Sequence, residues 1–213
     1  MGAAIEVFAT PRFDDWHRSA PDDTLWHVVD DATVADIADA VTPQGILARC
    51  RSVVQPLDAL PAHPRLVAVG VDVRDPGNAG SIIRVADAAG ADAVVFAGDS
   101  VDPLNPKAVR ATVGSLFHLP VIVDRDLTGV VAALRERGAR LLAADGAGET
   151  SLFDADLTAP AAWLFGNEAH GLGASAGIAD LRVAIPIYGR AESLNLATAA
   201  ALCLYASASA QRR

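Results

Sequence analysis

At 213 residues the chain has room for one ordinary domain, or for one domain with a smaller appendage. Hydrophobic residues make up 52% of it and charged ones 20%, which excludes a disordered chain, and no apolar run approaches the roughly 20 residues of a membrane span. A net charge of −9 excludes a generally basic nucleic-acid binder. Up to Ala62 there are 4 Lys/Arg against 10 Asp/Glu, and beyond it 13 against 16, so any affinity for RNA must come from a local cluster.

The first 52 residues suggest a small α/β unit. Residues 5–9 and 26–29 look like short strands, and 31–41 reads as a helix with Val34, Ile37, Ala38 and Val41 on one face. Pro43-Gln44-Gly45 then turns into a further apolar run at 46–48. Three prolines, Pro56, Pro61 and Pro64, mark 53–64 as a linker. Cys50 and Cys203 form no CxxC, and no histidine stands at metal-ligand spacing. They read as buried thiols of a reducing cytoplasm, with no metal site or disulfide expected. The N-terminus lacks the basic-then-apolar order of a signal peptide.

From residue 65 onward, short continuous apolar runs alternate with Ala-rich amphipathic segments. The runs at 66–73, 93–97, 119–123, 140–144, 162–165 and 183–187 suit parallel strands buried on both faces. Helices are expected at 79–89, 106–113, 129–137 and 193–209, with Gly90 and Gly138 at their C-terminal ends. This alternation implies an α/β domain over 65–213 with a mainly parallel sheet and helices on both faces.

Three stretches carry chemistry. In DPGNAGSIIR (75–84) a strand gives way to a turn and a helix, with Asn78 in an N-cap position and Arg84 one to two turns later. The carboxyl end of a strand is where open α/β sheets bind ligands. Asn78 alone would read as a cap, and Arg84 alone divides evenly between a solvated residue and a functional one. Gly77 and Gly80 do not make GxGxxG, and no Walker lysine follows, so dinucleotide or phosphate cradling is not supported. In LFGNEAHGL (164–172) an apolar strand enters a glycine-rich loop. Gly166 would let a ligand approach the backbone, Glu168 could accept a hydrogen bond or act as a base, and His170 reads as a solvated loop residue. In IPIYGRAESLNLATAAAL (185–202) a strand passes Gly189 into a helix apolar on nearly every face. Such a helix should be buried all round, with Ser193 as a plausible N-cap and Asn195 in the first turn.

In this order and spacing, the three stretches resemble the signature motifs of the SpoU (TrmH) family within the knotted SPOUT methyltransferases, over roughly residues 66–208. The segment NPKAVRATVGS (105–115) also resembles a family segment, with Thr112 where Ser is more usual. The resemblance implies a C-terminal deep trefoil knot, a bent S-adenosylmethionine as cofactor, RNA as substrate and a homodimer formed through the knotted region. It places Leu164, Phe165, Gly166, Ile185, Ser193 and Leu194 in the cofactor pocket, with Ala144 and Glu168 as weaker candidates. The N-terminal stretch TPQGILA (42–48) resembles the end of a small substrate-recognition domain, which is normally longer. Either the start is displaced or the module is truncated.

The implied reaction is methyl transfer to a ribose 2′-hydroxyl. Ribosomal RNA is the expected substrate, with transfer RNA or a catalytically silent RNA-binding assembly factor as alternatives. The resemblance gives the catalytic role to Arg84. Neutralising an arginine at pH 7 costs about 7 kcal/mol or more, so it should act as a cation on the 2′-oxygen and neighbouring phosphate rather than as a base. Asn78 would orient it, and Glu168 and Asn195 would complete the polar shell. Lys107, Arg110 and Arg190 are candidate phosphate contacts, although a solvated basic face explains them nearly as well.

Overall fold

A computed structural model describes residues 3–38 and 40–212. They fall into two units, Met1–Val53 and Val54–Arg213.

The first unit runs β1 (Ala4–Ala9), α1 (Asp14–Ser19), β2 (Leu25–Val28), α2 (Asp31–Ile37) and β3 (Ile46–Cys50). Its sheet has the order β2-β1-β3, with β2 parallel and β3 antiparallel to β1. Asp30 caps α2, its Oδ1 accepting from the Thr33 amide at 2.8 Å. The helix ends at Ile37, short of the expected residue 41, because Ala38 turns extended and only Val34 finds a core. Val41 is fully exposed, and Asp39 lies outside the described residues. Pro43 further disfavours helical backbone at Thr42. Cys50, expected to be buried, is exposed on β3.

The second unit continues with β4 (Val54–Gln55), β5 (Leu66–Val71), α3 (Pro76–Ala89), β6 (Ala93–Ala97), α4 (Pro106–Thr112) and β7 (Val121–Asp124). Then come α5 (Leu127–Glu136), β8 (Arg140–Ala144), β9 (Thr150–Ser151), β10 (Ala161–Phe165), β11 (Leu181–Ala184) and α6 (Leu196–Gln211). The sheet order is β4-β7-β6-β5-β10-β8-β11-β9, and every pairing is parallel. The stretch expected to be a linker therefore gives the sheet an edge strand, Val54 pairing with Val121. Its prolines punctuate a docked segment.

All six residues of β5 are buried, as are all five of β6 and of β10, which is why these strands read as unbroken apolar runs. Val67 and Val69 of β5, Ala162 and Leu164 of β10, and Val130, Val131 and Leu134 of α5 share one core. Alternation sends Trp163 to the other face. There its indole Nε1 donates to Ser207 Oγ of α6 at 2.8 Å, a satisfied buried pair. Helices thus cover both faces. α6 is not buried all round: Ala200, Cys203 and Leu204 are inside, yet Leu202 and Tyr205 are exposed. Among the described residues, the apolar side of this helix at Leu202 and Tyr205 is only partly covered.

The C-terminal strands are inserted out of order. β11 lies between β8 and β9, so the connection at 145–149 must cross β11. Gly148 lies flat on that strand: a Cβ there would fall 2.8 Å from the carbonyl carbon and oxygen of Arg182.

Candidate active site

α3 begins three residues before the expected position. Asp75, not Asn78, is its N-cap: Asp75 Oδ1 accepts from the Asn78 amide at 2.8 Å, and Pro76 supplies a preset φ at the first turn. The earlier start releases the Asn78 side chain for other work. Likewise α6 is capped by Asn195 rather than Ser193. Its Oδ1 accepts from the amides of Ala197 at 2.9 Å and Thr198 at 3.2 Å.

These two asparagines meet a carboxylate. Glu168 Oε1 accepts from Asn78 Nδ2 at 3.1 Å and from the Asp75 amide at 3.1 Å, while Oε2 accepts from the Arg74 amide at 3.2 Å. Asn195 Nδ2 donates to Asn78 Oδ1 at 2.9 Å. One hydrogen-bonded chain thus joins all three motif stretches. Partial burial pushes the Glu168 carboxyl upward. The hydrogen bonds from Asn78 and from the backbone of Glu168, Arg74 and Asp75 outweigh it and hold the group below its ordinary value. A carboxylate so occupied is a staple and a poor proton acceptor.

The loop after β10 is closed on itself. Asn167 and Gly171 exchange backbone hydrogen bonds at 2.9 and 2.8 Å. A Cβ on Gly166 would collide with the backbone of Gly171 and Leu172, so this glycine is needed first for loop closure. Asn167 Nδ2 donates to the Asp72 carbonyl at 2.9 Å, holding a residue whose φ of 54° is left-handed. Asp72 also accepts the Asp99 amide at 2.7 Å. That turn ends β5 at Val71, before the expected residue 73.

Above the carboxyl ends of β8, β10 and β11 lies a cleft of about 510 Å³, within the range usual for small-molecule sites. Of the expected cofactor residues, Phe165, Gly166, Ile185, Ser193 and Leu194 line it, together with Ala144 and Glu168. Asn78 and Asn195 stand at the same wall. Leu164 does not line it; β-alternation turns it into the core shared with α5. Sequence reasoning missed Asp145, Gly146, Asn167 and Glu192, which also line the cleft. Asn167 and Glu192 lie inside the motif stretches but had no role assigned, and Asp145 directly follows a strand of the parallel sheet. Asp145, Glu168 and Glu192 are the ionisable residues of the lining, and no Lys, Arg or His is among them. The cleft is therefore lined by apolar side chains and, among ionisable groups, by carboxylates alone.

The expected cations stand elsewhere. Arg84 is exposed on α3 and does not line the cleft. It lies about 600° of helical turn beyond Asn78, roughly 120° short of two full turns, so the two side chains leave different sides of the helix. Asn78 spends its amide on Glu168 and Asn195 and does not orient Arg84. Lys107 Nζ pairs with Asp75 Oδ2 at 2.9 Å, bracing the α3 cap. Arg110 and Arg190 are exposed. Among the described residues there is no cluster of metal-binding side chains, and no helix is long and apolar enough to cross a membrane.

Comparison with known proteins gives concordant results. The model of the SpoU rRNA Methylase family matches residues 65–205. The chain is 37% identical over 172 residues to the 23S rRNA (guanosine(2553)-2′-O)-methyltransferase RlmP of Bacillus subtilis, covering 79% of this chain and 66% of that one. It is 41% identical over 156 residues to the 23S rRNA (uridine(2479)-2′-O)-methyltransferase of Streptomyces viridochromogenes, covering 70% and 54%. The chain thus spans between about half and two thirds of the length of these curated relatives. The crystal structure of the SpoU methyltransferase AviRb from Streptomyces viridochromogenes, in complex with AdoMet, superposes with a TM-score of 0.86. It shares 30% identity, covering 97% of this chain and 82% of that one.

Proposed function

This chain belongs to the SpoU rRNA methylase family, and on that premise we propose that it transfers a methyl group from S-adenosylmethionine to a ribose 2′-hydroxyl in ribosomal RNA. The observation that carries the reading is the cleft lined by apolar side chains and carboxylates at the convergence of the three motifs. Such a cleft suits a ligand with an apolar ring system and positive charge. Phe165, Ile185 and Leu194 would hold the ring, and the Glu192 carboxylate would attract the charge, since Asp145 is already paired with Arg182. When bound, the cofactor supplies an electrophilic methyl group; the rest is positioning and proton removal.

The residues divide that labour. Glu168, Asn78 and Asn195 fix the three motif loops against one another, and their shared hydrogen bonds keep the cleft mouth in one geometry. Arg84 makes no ion pair or side-chain hydrogen bond among the described residues, which leaves its planar fork for a phosphate and the 2′-oxygen. That it does not line its own chain's cleft fits a site completed in a homodimer. The exposed apolar side chains Leu202 and Tyr205 of α6, beside Phe153, give a second copy a surface to cover. Arg190 and Arg110 would add phosphate contacts on exposed segments. The out-of-order insertion of β11 supports a threaded C-terminal segment. Residues 1–52 would serve RNA selection, and a cytoplasmic setting follows from the substrate.

The test is transfer of tritium from labelled S-adenosylmethionine to ribosomal RNA, then digestion to nucleosides and location of the methyl by mass spectrometry. A 2′-O-methylnucleoside is expected. Label on a base, or only in transfer RNA, corrects the substrate; binding of RNA with no transfer at all makes the chain a silent relative.

A further inference from the structure

The wall of the cleft formed by Ala144, Asp145 and Gly146 is the start of the connection that crosses β11 on its way to β9. A five-residue crossing of this kind has little regular structure of its own: Gly148 donates back to the Asp145 carbonyl at 2.9 Å, and Ala147 donates to Asp145 Oδ1 at 2.9 Å. One backbone bond anchors its entry to the strand it crosses, from the Asp145 amide to the Val183 carbonyl at 3.0 Å, and beyond that one side chain of the same strand ties it down. Arg182 Nε and Nη2 both reach Asp145 Oδ2, at 3.0 and 2.9 Å. Nη1 donates to Glu149 Oε1 at 3.1 Å, and Nη2 to the Ala147 carbonyl at 3.3 Å.

Arg182 does not itself line the cleft. Strand alternation sets it on the side of β11 opposite Val183, which does. It therefore grips the loop from behind while the loop's front edge faces the ligand space. The grip spans the whole crossing, from Asp145 at its entry to Glu149 at its exit. A guanidinium, with five donors in one plane, suits holding a carboxylate, a carbonyl and a second carboxylate together. It also fixes the Asp145 side chain, whose Oδ2 takes the guanidinium and whose Oδ1 takes the Ala147 amide.

We propose that Arg182 is the positioning residue that sets the Asp145–Gly146 wall and, through it, the affinity of the cleft for the adenosyl-amino acid scaffold that the cofactor shares with S-adenosylhomocysteine. The cofactor half of this statement rests on the function proposed above; the positioning half does not. Two measurements on the full chain separate them. Hydrogen exchange without ligand reads the wall: in Arg182→Ala the amides of Ala147 and Gly148 should exchange faster than in the parent, those of β5 and β10 staying unchanged. Calorimetry with S-adenosylhomocysteine reads affinity, which should fall about tenfold, the loss of roughly one hydrogen bond's net worth. KM for the cofactor should rise while kcat changes little. Arg182→Lys, with one ammonium in place of the fork, should fall between.

Unchanged exchange at 147–148 overturns the proposal outright, and so does faster exchange with unchanged affinity in a parent that binds. If the parent binds no S-adenosylhomocysteine, the cofactor reading fails, and the exchange arm still decides whether Arg182 sets the wall. Should Arg182→Ala not fold, Glu149→Ala removes one of the clamped groups at an exposed position and should show a smaller shift in both measurements.

Discussion

The Nδ2 of Asn195 lies 2.9 Å from the Oδ1 of Asn78, joining residues 117 positions apart in the chain. The direction of this bond is fixed by chemistry. Glu168 is held ionised and can only accept, so Asn78 must turn its Nδ2 toward it, leaving Oδ1 for Asn195. Asn195 in turn needs its own Oδ1 for the first amides of α6. Every amide orientation in the chain follows from one carboxylate and one helix end.

Asn195→Asp isolates this bond. Asp caps a helix as well as Asn does, so the melting temperature should stay within about 2 °C of the parent. The new carboxylate would face Asn78 Oδ1, acceptor against acceptor, and methyl transfer should fall about tenfold or more. Melting curves and tritium transfer measured on one preparation check both. Full turnover in this variant would mean that the bond between the motifs is dispensable.

Glu168 should show its role in acid. Its folded carboxyl lies below the ordinary 4.5, so the stabilisation from its bonds is present above that value and lost as pH falls through the folded one. Denaturant midpoints measured from pH 7 downward should decline below about pH 4.5. In Glu168→Gln that part of the decline should be missing, and stability at pH 7 should be lower, because an amide nitrogen would face a backbone N–H. The pH–rate profile between 6 and 8 should be alike in both proteins; a limb that vanishes in the variant would restore Glu168 as a base.

Arg84→Ala should leave S-adenosylhomocysteine binding within about twofold of the parent, since Arg84 does not line the cleft. Turnover should drop by about 100-fold or more if its cation stabilises charge developing on the 2′-oxygen. Sedimentation of both proteins shows whether the drop comes from a lost dimer instead. Retention of more than about a tenth of the activity removes Arg84 from the reaction.

Val113 ends α4 with a φ of 50°, an uncommon conformation for a β-branched residue, and is 67% exposed. Val113→Gly relieves that strain but frees the unfolded chain, and the balance should favour the variant by about 0.5–1 kcal/mol. A lower melting temperature would show that the valine side chain holds something in place.

Much of this protein can be read from the chain alone. Unbroken valine- and leucine-rich runs at 66–71 and 93–97 require strands covered on both faces. Gly90 ends α3 as read, with a φ of 70° that glycine adopts without strain, whereas the helix starts at Pro76, three residues before the expected position. The cleft residues Phe165, Gly166, Ile185, Ser193 and Leu194 came from motif resemblance, and the fold gathers them at one wall. Tertiary structure decided what one-dimensional order leaves undefined. Whether Asn78 caps its helix or crosses to Asn195 depends on a carboxylate 90 residues away. That Leu164 faces the core, and that α6 keeps a partly covered apolar side, follow from which surfaces the sheet places against them. Local propensities act over a few residues, but hydrogen-bond partners and burial are set by distances in space, and these exist only once the strands have taken their order.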